Sequence, residues 1–125
     1  MTLAFWCVLL AGFLPYVATL IAKVGGRRFD NRQPRAWLAQ QEGYRARANA
    51  AQANGFEAFP YFAAGVIIHH LARGPDPVAD GLAVLFVVAR IAYLGVFLAD
   101  LPRARSAVWF VGLGSVIALF LTAAR

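Results

Sequence analysis

Four apolar stretches divide the chain. Residues 1–22 carry no charge and stop at Lys23, and residues 106–124 form a second uncharged run between Arg105 and Arg125. Residues 81–99 lie between Asp80 and Asp100 and hold one charge near their centre, Arg90; residues 48–72 are broken only by Glu57. About 20 such residues cross the hydrocarbon core of a bilayer. The pattern therefore predicts a single domain over 1–125 with four transmembrane helices, at about 2–23, 35–73, 78–99 and 104–124. Three spans plus an amphipathic helix is the alternative, and it turns on the Glu57 stretch. Gly74-Pro75-Asp76-Pro77 and Leu101-Pro102 are breaks that no helix crosses. The first link, roughly 23–41, is longer. It holds Gly25-Gly26, Asp30-Asn31 and then Pro34, a helix start, so the second helix is expected to begin outside the membrane. A signal peptide fits the first run poorly, because the basic cluster follows it instead of preceding it.

Composition agrees with the pattern. Hydrophobic residues make up 61% and charged residues 14% of 125, against about 25% charged in a soluble domain. The fold class expected is all-α, an integral membrane four-helix bundle. The net charge of +6 adds direction, because it is clustered. Lys23, Arg27, Arg28, Arg32, Arg35, Arg45 and Arg47 gather on the first link and the start of the second helix, and Arg103 and Arg105 on the third link. Positive loops stay in the cytoplasm. Links one and three are then cytoplasmic and both termini outside, in a multi-pass protein of a bacterial inner membrane. Arginines tied to membrane boundaries serve topology and attract anionic lipid; a nucleic-acid partner is excluded on the same ground. Cys7 is the sole cysteine, so no disulfide forms within the chain.

Two charges remain that topology does not explain. Glu57 and Arg90 lie at membrane depth, where ionisable groups face a bundle interior or a wet cavity. A buried ion pair between them is one reading; a ligand or ion site is the other. Arg47, Asn54, Glu57 and Tyr61 share one helical stripe, while Arg45, Asn49 and Gln52 lie nearly opposite. A helix polar on two opposed faces needs two different neighbours, which points to an oligomer with a site shared between subunits. Arg90, Tyr93 and Phe97 form a third stripe, where an arginine beside a tyrosine can hold a carboxylate. His69 and His70 are adjacent, not three or four apart, and no metal site is expected.

The stretch Arg47-Ala48-Asn49-Ala50-Ala51-Gln52-Ala53-Asn54-Gly55-Phe56-Glu57-Ala58-Phe59-Pro60-Tyr61-Phe62, with Arg90-Ile91-Ala92-Tyr93 further on, resembles the MAPEG family, the membrane-associated proteins in eicosanoid and glutathione metabolism. The resemblance covers nearly the whole chain. It implies a homotrimer of four-helix bundles in contact with membrane lipid, with glutathione as co-substrate held between subunits, no metal, and a hydrophobic small molecule as second substrate. Asn54, Glu57, Arg90 and Tyr93 match glutathione contacts; Gln52 matches one made from the adjacent subunit, and Arg47 a basic position before the motif. Arg28 or Arg27, and Arg103 or Arg105, are looser matches.

The chain departs from the family pattern in two places. Position 50, where the enzymes usually carry arginine, is Ala50, and position 97 is Phe97 and not a hydroxyl-bearing aromatic. The activity implied is that of a glutathione transferase or peroxidase, in which Arg105 or Arg103 stabilises the thiolate, Tyr93 donates a hydrogen bond, Glu57 takes the ammonium, and Arg90 and Arg47 take carboxylates. A non-catalytic lipid- or glutathione-binding protein of the same family is the alternative that Ala50 supports. A small proton-coupled drug exporter is the second, although it gains nothing from Arg90.

Overall fold

The structure, a computed structural model, describes residues 1–25 and 27–125. Five helices follow in order: α1 Leu3–Lys23, α2 Pro34–Ala39, α3 Tyr44–Arg73, α4 Pro77–Leu98 and α5 Pro102–Ala123. Their ends follow local chemistry. The Thr2 hydroxyl accepts from the Phe5 N–H to cap α1, and the Asp76 carboxylate accepts from the Val78 N–H at 2.9 Å to cap α4. Prolines open α2, α4 and α5, where a missing N–H costs nothing.

The expected single helix from about 35 to 73 is two helices. The chain breaks over residues 40–43, and Gly43 precedes α3 at φ 61°, a left-handed conformation that glycine adopts without strain. The break lets α2 fold back. Trp37 and Leu38 are buried against Ala22 and Ala48, the Trp37 Nε1–H donates to the Arg28 carbonyl at 2.9 Å, and Phe29 packs edge-on to Trp37. The first link is thus a folded structure held against the ends of α1 and α3.

Helices α1, α4 and α5 are each long and apolar enough to cross a bilayer, so the chain is an integral membrane protein. Helix α3 falls outside that set: four spans were expected, and composition alone qualifies three. The long helices pack against one another, α1 on α3 and α4, and α5 on α4 and α3. The inward seam of α1 is Ala4, Cys7, Ala11, Pro15, Ala18 and Ala22, all buried, at the spacing of three and four that small residues use for close helix approach in lipid. At one crossing Pro15 lies over Gly55, where a Cβ would sit 2.9 Å from the Pro15 Cγ; any larger residue pushes α1 and α3 apart. The opposite face of α1 exposes Leu9, Leu10, Phe13 and Leu20. At the centre the Phe62 and Phe86 rings stack at 4.0 Å, surrounded by Val66, Val116 and Leu119.

The end of the bundle away from the first link is fastened by polar contacts. His69 has no exposed surface. Its Nε2 lies 2.8 Å from the Asp76 carboxylate, and its Nδ1 lies 3.2 Å from both the Leu119 carbonyl and the Thr122 hydroxyl. One imidazole thereby joins α3, α5 and the turn before α4. Nearby the Ala4 N–H donates to the Asp80 carboxylate at 2.8 Å. The Val78 N–H and, next, the His69 ring hold the Asp76 carboxyl below its ordinary pKa. A carboxylate depressed in the folded state contributes stability that is complete above its unfolded pKa, about 3.9, and is lost as pH falls toward the folded value. Thermal unfolding in detergent, followed by circular dichroism, is therefore expected to show a midpoint that drops below about pH 4. Asp76→Asn keeps a capping oxygen but lowers the midpoint at neutral pH and flattens that acid dependence. An unaltered midpoint and profile in the variant rules the contact out as a source of stability.

Candidate functional site

A groove runs between α3, α4 and α5. Toward the first-link end it holds a cavity of about 580 Å³ lined by Ala50, Asn54, Glu57, Tyr93, Phe97, Arg105 and Trp109, among others. It adjoins a second cavity of about 530 Å³, which shares Asn54, Glu57 and Trp109, is reached by Arg90, and continues between Ala58, Tyr61, Leu113, Val116, Ile117 and Phe120. One half of the groove is polar and the other almost wholly apolar.

Helical spacing assembles the polar half. Asn54 and Glu57 stand one turn apart on α3, and Arg90, Tyr93 and Phe97 lie on one face of α4. The Arg90 guanidinium carbon sits 4.2 Å from the centroid of the Tyr93 ring, and Tyr93 meets Phe97 edge to face at 5.6 Å. Arg105, in the first turn of α5, places its guanidinium carbon 4.5 Å over the other ring of that pair, Phe97. Cation, ring, ring and cation thus form a ladder from the bundle interior to the mouth of the groove.

Among the described residues none of these charges has an oppositely charged partner. No carboxylate of the described residues lies within salt-bridge distance of Arg90, so the buried ion pair with Glu57, one of the two readings of these charges, does not form. Arg90 is 9% exposed, and a buried guanidinium without a counter-charge is costly. The Asn54 Oδ1 is buried and accepts no hydrogen bond, a second cost. An unmatched cation, an unmatched anion and an orphaned acceptor, side by side on one groove, fit a ligand that carries the opposite groups.

The remaining predicted residues divide. Arg47 shares a stripe with Asn54, yet its guanidinium turns away to donate to the Leu98 carbonyl at 3.0 and 3.3 Å; it satisfies an orphan carbonyl at the C-terminal end of α4 and does not line the groove. Of the two third-link arginines, Arg105 lines it; Arg103 is exposed and does not. Arg28 is exposed on the link, where its carbonyl holds Trp37. Gln52 is half-buried outside the groove, about half a turn from Asn54. Trp109, on both cavities, escaped the sequence reading; it sits one turn after Arg105 and one turn before Gly112, so the register of α5 was the available signal. No group of three metal-binding side chains occurs among the described residues.

Helices that cross a membrane, with a charged groove opening beside an apolar one, define an integral membrane protein suited to a polar ligand and a lipophilic one together. The comparison with family models is specific: residues 3–125 match the MAPEG family, and the chain belongs to it. No curated protein matches it.

Proposed function

We propose that the protein is a membrane-bound glutathione transferase or peroxidase acting on hydrophobic electrophiles or lipid hydroperoxides. The observation that carries this reading is the groove itself: Asn54, Glu57, Tyr93 and Arg105 line one cavity, and it adjoins an apolar one that shares Asn54 and Glu57 and is reached by Arg90. Family membership supports glutathione as the polar ligand. Glutathione offers an ammonium to Glu57, carboxylates to Arg90, N–H donors to the Asn54 Oδ1, and a thiol toward Arg105 and Tyr93. Ionisation of the thiol releases its proton to solvent. The thiolate then attacks the electrophile, forming the new bond to sulfur as the leaving group departs with the displaced electron pair. The apolar cavity keeps the second substrate in contact with the acyl chains from which it enters.

In this reading α3 is the fourth span of a four-helix bundle, and the bundle assembles as a homotrimer. Glu57 is exposed on the single chain, and Gln52 occupies the other face of the same helix. Lipid is a poor environment for both, and a neighbouring subunit covers both, with Gln52 completing the adjacent site. The first-link end, rich in arginine, faces the cytoplasm of a bacterial inner membrane.

A binding-only role is the second reading, favoured by Ala50, which lines the groove with a methyl group where family enzymes usually carry an arginine. Titration calorimetry in detergent separates the possibilities. Millimolar glutathione is expected to bind, Glu57→Gln to weaken binding about tenfold or more through the lost charge-assisted contact, and chlorodinitrobenzene to be conjugated. Absence of binding eliminates the enzyme reading; binding without turnover selects the second.

A further inference from the structure

The ladder assigns a task to Phe97, a residue with no polar atom in a polar groove. Arg105 has one observed restraint. It makes no salt bridge among the described residues, its side chain is half-exposed, and the face of Phe97 lies 4.5 Å beneath its guanidinium carbon. A long, exposed arginine samples many rotamers, and ordering it is entropically costly. A ring face below the guanidinium favours the stacked rotamer by about two- to thirtyfold. The ring is in turn held by Tyr93, itself 5% exposed and covered by Arg90. Phe97 is thus a fixed platform on α4 for a mobile cation on α5, and the two helices are joined there by the short turn over residues 99–101.

We propose that Phe97 is a positioning residue that holds Arg105 over the groove, and that it controls ionisation of the bound thiol through Arg105 without touching the thiol. The inference rests on the glutathione reading above. A leucine at position 97 fills similar space but offers no negative ring face, so the stacked rotamer loses its advantage while the packing stays. The chemistry specific to this role is electrostatic. The cation that lowers the thiol pKa is absent for most of the time, and the thiol ionises at higher pH.

The experiment uses the full-length protein in detergent with glutathione and chlorodinitrobenzene. It measures the pH midpoint of thiolate absorbance for bound glutathione, with kcat and KM, in the wild type, Phe97→Leu, Arg105→Gln and the double variant. The expected result is a Phe97→Leu midpoint shifted upward, kcat at neutral pH lower by about twofold or more but by less than in Arg105→Gln, and KM for glutathione within about twofold of the wild type. Arg105→Gln shifts the midpoint further, and adding Phe97→Leu to it changes nothing more, because the ring acts through the arginine. Phe97→Tyr keeps the ring face and does not raise the midpoint, which preserves the test if the leucine variant fails to fold. The inference is overturned by an unmoved midpoint in Phe97→Leu, by a Phe97→Leu effect that persists in the Arg105→Gln background, or by a raised midpoint in Phe97→Tyr. A wild type that binds no glutathione brings down the functional reading, and this inference with it. A wild type with an ionised thiol and an indifferent Phe97 brings down this inference alone.

Discussion

Arg90→Leu is expected to abolish measurable glutathione binding while leaving the ligand-free protein as stable as before, or more so. The two effects come from one cause. Arg90 is 9% exposed, with no carboxylate beside it, so the empty groove already bears the desolvation of its charge. Leucine removes that burden and fills apolar space next to Phe86 and Gly112. In the complex the same arginine meets a ligand carboxylate, and truncating one partner of a buried, hydrogen-bonded charge pair costs about 2–5 kcal/mol, or roughly 30-fold to over 1,000-fold in affinity. A guanidinium kept for packing predicts the reverse: lower stability and modest loss of affinity. Calorimetry and a thermal midpoint on the same preparation distinguish the two, and a large drop in midpoint with near-normal binding defeats the ligand role.

Arg105→Gln has the next largest effect, and on rate more than affinity. A free thiol of this type ionises near pH 8.5. One guanidinium at the mouth of the groove lowers that by about one to two units, at about 1.4 kcal/mol each. Near neutral pH the thiolate fraction, and with it kcat, is expected to fall about 8- to 25-fold, and the shortfall shrinks as pH is raised through the free-thiol range. Steady-state conjugation rates across that range provide the check. A pH-independent loss means Arg105 holds substrate and does not set the ionisation.

Much of this was legible in the chain. The uncharged run that stops at Lys23 ends where α1 ends, because charge is costly in lipid and marks where a span stops, whereas α5 opens at Pro102, four residues before the run that follows Arg105. The spacing of three between Arg90 and Tyr93 placed one over the other, and helical geometry enforces that. Spacing failed where a flexible side chain or a distant partner decides. Arg47 is on the stripe of Asn54, yet its long side chain reaches the Leu98 carbonyl instead; the helix fixes the Cβ direction and leaves the guanidinium free. His69 finds Asp76 across a proline-rich turn, a contact set by how α4 re-enters the bundle. The α2–α3 break lies at a glycine within an otherwise helical stretch, a position where glycine signals an interruption as readily as a kink. Which helix faces enclose a groove is a property of packing, and the register that puts Trp109 one turn after Arg105 gains its meaning only with α5 laid against α3.

Helix α3 carries Pro60 in its interior, so the hydrogen bond that residue 60 would give to the Phe56 carbonyl is missing. On one side of that gap stand Asn54 and Glu57; on the other is His69, moored to Asp76 and Leu119. Bending concentrates at such an interruption. The helix is therefore jointed at Pro60 with both halves moored, the far one by His69 and the near one by Arg47 on the Leu98 carbonyl and by Gly55 against Pro15. An adjustment of Asn54 and Glu57 on the near half is then taken up at the joint and leaves the His69 mooring undisturbed.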